Sequence, residues 1–140
     1  MTKLEALQKS LEMWTWLRDQ AREGKYYRKE DWFEVTKNRY VSCWCYLCEY
    51  AEEVTSVGYT CANCPIQDWE EDEYEEIFCP NPCCQETSPF LQWSKGIGQI
   101  VNHQASSNKA KKEVLEGASK MVELLEANLR NNEERKLNRR

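Results

Sequence analysis

Residues 43–69 read CWCYLCEYAEEVTSVGYTCANCPIQDW and carry two short cysteine pairs, Cys45 with Cys48 in CYLC and Cys61 with Cys64 in CANC, twelve residues apart. A two-residue gap lets both sulfurs of one turn converge on a point. Two such turns supply the four soft donors that a tetrahedral zinc ion prefers. Three other uses of the same thiols compete with this one. Disulfides require an oxidising compartment. The opening MTKLEALQKSLEMWTW lacks the apolar run of a signal peptide, and no later stretch approaches the ~18 apolar residues of a membrane span, so a soluble, cytoplasmic and therefore reducing setting is expected. A redox-active C-x-x-C would want a βαβ context, and no such pattern surrounds either pair. Buried free thiols are the plainest alternative, since cysteine packs as a small hydrophobe, but the paired spacing argues for metal. The sequence therefore predicts zinc held by Cys45, Cys48, Cys61 and Cys64, with iron as the lesser option for the same donors.

Four cysteines remain: Cys43, Cys79, Cys83 and Cys84. If residues 43–45 are extended, Cys43 points away from the ion that Cys45 holds, which leaves room for a second metal on the opposite face. Against that, the neighbours Cys83 and Cys84 in CPNPCC do not easily aim at one ion. Either these four build a second site, or Cys84 substitutes for one of the first four and the others pack. His103, the single histidine, stands on a weakly helical stretch and fits surface or core better than a ligand shell.

Charge is divided as sharply as cysteine. Residues 1–39 hold nine Lys/Arg and seven Asp/Glu; residues 40–94 hold no Lys or Arg and eleven Asp/Glu; residues 95–140 hold ten Lys/Arg and six Asp/Glu. All eight cysteines lie in the acidic middle. The layout expected is one domain over 1–140: a helical flank at 1–39, an acidic cysteine-rich insert at 40–87, a second helical flank at 88–131 and a frayed polar tail at 132–140.

The flanks carry helical periodicity. Leu4, Leu7, Leu11, Trp14, Leu17 and Ala21 recur at spacings of three and four, Thr2 with Glu5 has the form of a capping box, and Gly24 is a plausible stop. A shorter helix is expected in RKEDWFEVTKNR, burying Trp32 and either Phe33 or Val35. In SPFLQW, Ser88 can cap a helix whose first residue is Pro89, while Gly96 and Gly98 weaken its interior. ASSN should break the chain before a last helix with Ala110, Val114, Ala118, Met121, Leu125 and Leu129 on one face. The fold class is thus mainly α: antiparallel helices from the two chain ends, packed with a central zinc-knuckle insert of little regular structure.

The combination of WTWL in an early helix, CYLCEYA, CANCPIQDW, a later cysteine and then SPFLQW before a helical tail resembles small cysteine-rich proteins encoded by tailed bacteriophages. The likeness spans most of the chain through short motifs. It implies a phage accessory protein with a zinc-knuckle core, acting in the cytoplasm of the infected bacterium. It also implies that the shared later cysteine is Cys84, leaving Cys43, Cys79 and Cys83 as additions.

Enzymatic signatures are missing. One histidine does not supply the usual triads, the H-E-x-x-H zinc motif or a His-containing deaminase signature, and KGIGQ lacks the length and the following Lys-Ser/Thr of a phosphate loop. A four-thiolate zinc has no open position for water. The seven acids within DWEEDEYEEIF could hold Mg²⁺, though a solvated charge run is the plainer expectation. Nucleic acid is disfavoured as a partner: the pairs carry no basic residue, and four thiolates on one zinc add negative charge to an acidic segment, so phosphates are repelled. A regulator that touches nucleic acid through its basic flanks, at Lys109, Lys111, Lys112 and the tail, is the alternative. The acids interleaved with aromatics, Asp68, Trp69, Glu70, Glu71, Asp72, Glu73, Tyr74, Glu75 and Glu76, suit a host protein with a basic surface. The expectation is a non-enzymatic adaptor or inhibitor for host takeover or counter-defence, with no membrane association and with a homo-oligomer compatible.

Overall fold

In a computed structural model, the residues described are 1–37, 46–55, 64–66, 88–103 and 107–138, without the side chains of 102, 103 and 134–138. They form five α-helices: α1 Lys3–Arg22, α2 Lys29–Thr36, α3 Tyr46–Val54, α4 Pro89–His103 and α5 Asn108–Asn138. The described part of the protein is mainly α, as the periodicity of the flanks predicts.

Helix α1 starts where its sequence dictates. The Glu5 amide donates to Thr2 Oγ1 at 3.1 Å and the Thr2 amide donates to Glu5 Oε2 at 3.2 Å, so each side chain satisfies a backbone N–H that has no partner inside the helix. It ends at Glu23, and Gly24 follows with φ +82, a conformation that costs glycine nothing. The buried face is Ala6, Leu7, Ser10, Met13, Trp14, Leu17 and Ala21. Leu4 and Leu11, expected in the apolar stripe, are only half-buried, while the small Ala6 and Ser10 are fully buried.

Helix α4 is capped as SPFLQW predicts: Ser88 Oγ accepts from the Phe90 amide at 3.1 Å and lies 3.4 Å from the Leu91 amide. Ser107 plays the same part for α5, accepting from the Ala110 amide at 3.1 Å. Helices α4 and α5 form an antiparallel hairpin. Gly96 faces Ala110 and Val114, while Trp93 and Pro89 face Gly117. Gln92 Nε2 donates to Glu116 Oε2 across the pair at 3.1 Å. A methyl group on Gly117 would lie 2.6 Å from the Trp93 backbone nitrogen and 2.8 Å from the Pro89 carbonyl oxygen, so this glycine sets the distance between the helices.

The hairpin also packs on α1, with α5 against both partners. Ala110, Val114, Ala118, Met121, Val122 and Leu125 of α5 are buried. Trp14 is gripped by edge-on contacts to Trp93, with ring centroids at 4.9 Å, and Phe90, at 6.1 Å. Each such pair adds about 0.5–1.5 kcal/mol beyond area burial. The helical geometry of α5 reaches Asn138, past the boundary at 131 that its polar composition suggests.

Helix α2 buries Trp32 and Phe33 and leaves Val35 at 61% exposure, which decides between the two expected partners of Trp32. It opens with the Arg28 amide donating to Asp31 Oδ2 at 2.8 Å and closes at Lys37, which adopts the left-handed conformation with φ 58.

Candidate metal centre and acidic surface

The insert is not wholly irregular. Residues 46–54, which a knuckle of little regular structure was expected to contain, form helix α3. The helix has a local cause. YLCEYAEEV places Leu47 and Ala51 four apart beside Tyr46, an apolar face of helical spacing that the flanking cysteine pair masks at the level of motif. Tyr46, Leu47 and Ala51 are buried, and α3 packs on α1.

This helix carries Cys48 as its third residue, half-buried and next to the buried Leu47. Cys64 is also half-buried and packs against the same hydrophobic core, and the next two residues, Pro65 and Ile66, are among the most deeply buried of the chain. One cysteine from each C-x-x-C pair is thus attached directly to core residues, Cys48 after Leu47 and Cys64 before Pro65. Their partners Cys45 and Cys61 lie outside the described residues, as do Cys43, Cys79, Cys83 and Cys84. Among the described residues, no three Cys, His, Asp or Glu side chains are grouped to hold an ion. What the structure contributes to the fit is the setting of Cys48 and Cys64: each is a soft donor, partly shielded from water, next in sequence to a buried residue, Leu47 or Pro65.

The acids divide in the same way. Asp68, Trp69, Glu70, Glu71, Asp72, Glu73, Tyr74, Glu75 and Glu76 all lie outside the described residues. The acidic part that is described is α3, where Glu52 and Glu53 are exposed near its C-terminal end and Val54 beside them is 47% exposed. Carboxylates in a last helical turn oppose the helix dipole at about 0.3–1 kcal/mol each. The Met1 ammonium, 3.2 Å from Glu53 Oε2, offsets part of this and links the start of α1 to the end of α3.

Sequence reasoning did not anticipate Tyr46 as an anchor. Its ring lies edge-on to Trp32 at 5.8 Å and tilted to Phe33 at 5.7 Å, while Trp32 and Phe33 contact each other at 5.2 Å. The aromatic residue inside CYLC, spaced four from Tyr50, was the available signal.

The described surface carries grooves on α1 and on the α4–α5 hairpin. The α1 groove, of about 650 Å³, runs past Gln8, Leu11, Glu12, Thr15, Trp16 and Asp19. The hairpin groove, of about 290 Å³, lies between α4 and α5 beside Lys95 and Lys109. Among the described residues, no helix is long and apolar enough to cross a membrane. Compared with protein-family models, with curated proteins and with solved structures, the chain finds no match.

Proposed function

We propose that this chain is a non-enzymatic, zinc-stabilised helical adaptor or inhibitor, a phage accessory protein that engages a basic surface of a host protein through its acidic insert. The observation that carries this is the coincidence of two patterns. The cysteine pairs and eleven acids share one segment without a single Lys or Arg, and within it Leu47, Pro65 and Ile66 are buried. Asp68 follows Ile66 by two positions, so the acid run begins next to a fixed point. In this scheme Cys45, Cys48, Cys61 and Cys64 hold zinc and the ion's role is to fix the backbone that bears the acids. The acids of 68–76 attract a basic partner at long range, and Trp69 and Tyr74 serve as desolvated anchors on contact.

The test is capture from bacterial lysate by three tagged proteins: the natural chain, a variant with Glu70, Glu71, Asp72 and Glu73 made neutral, and a deletion of 132–140. Loss of a captured protein with the neutral variant and its retention with the deletion are expected. Capture that survives neutralisation but fails on tail deletion, together with salt-sensitive retention on DNA or RNA, would transfer the function to the basic flanks.

A further inference from the structure

We draw no further inference here: the strongest candidate, the groove between α4 and α5, sets the exposed Lys95 and Lys109 beside Glu113 at the start of α5, and nothing in the structure points to a ligand there.

Discussion

Two glycines in the helical hairpin, Gly98 and Gly117, should respond to the same substitution with opposite signs. Gly98 of α4 has nothing within 4 Å of the position a methyl would occupy, so Gly98→Ala gains helix propensity alone, about 0.8–1 kcal/mol. Gly117 of α5 gains the same propensity but places its methyl 2.6 Å from one backbone atom of α4 and 2.8 Å from another. Backbone atoms cannot rotate aside, so the two helices must separate and unpack Trp93 from its neighbours. Overpacking of this kind costs about 1–3 kcal/mol. With rigid atoms on both sides the upper end applies, and Gly117→Ala should lose about 2 kcal/mol net. At about 2.1 cal/mol/K per residue, a chain of this size shifts its Tm by about 3 °C per kcal/mol. Thermal unfolding followed by circular dichroism should therefore place Gly98→Ala about 3 °C above the natural protein and Gly117→Ala about 6 °C below it. A Gly117→Ala protein as stable as Gly98→Ala would refute the close approach of α4 and α5.

Thr2→Ala removes one half of the capping box and should cost about 1 kcal/mol, or about 3 °C in the same experiment. Cys45→Ser should lower zinc content and stability far more than Cys83→Ser; comparable zinc loss in both, measured by elemental mass spectrometry, would establish a second centre. Once a host partner is captured, neutralising Glu70, Glu71, Asp72 and Glu73 should slow association most at low salt, while Tyr74→Ala should mainly speed dissociation, both read by surface plasmon resonance.

Much of the helical frame was legible because its signals are local. The capping box at Thr2 and Glu5, the stop near Gly24, the Ser88 cap before Pro89 and the spacing from Ala110 to Leu125 each depend on residues within a few turns of one another. The misplaced details depend on distance across the fold. Gly96 reads as a weak helix former, yet its bareness is what lets Val114 approach. Leu11 reads as core, yet it only packs against the core's edge, partly buried, while Ser10 and Ala6 are fully buried. Helix α3 was hidden because CYLC draws the eye to its sulfurs and away from Leu47 and Ala51. At the candidate site, the pairing of Cys45 with Cys48 and of Cys61 with Cys64 is a local signal. Cys43, Cys79, Cys83 and Cys84 lie outside the described residues, and spacing along the chain does not assign them a role.

We propose that paired cysteines hold a zinc ion that mounts the acidic insert on the helical core. Elemental analysis joined to native mass spectrometry tests it directly, on the natural chain and on a variant with Cys45, Cys48, Cys61 and Cys64 all changed to Ser. At least one zinc per natural chain and none bound at these turns in the variant is the predicted result. A natural chain without zinc, or a variant that keeps its full zinc content, would contradict the account.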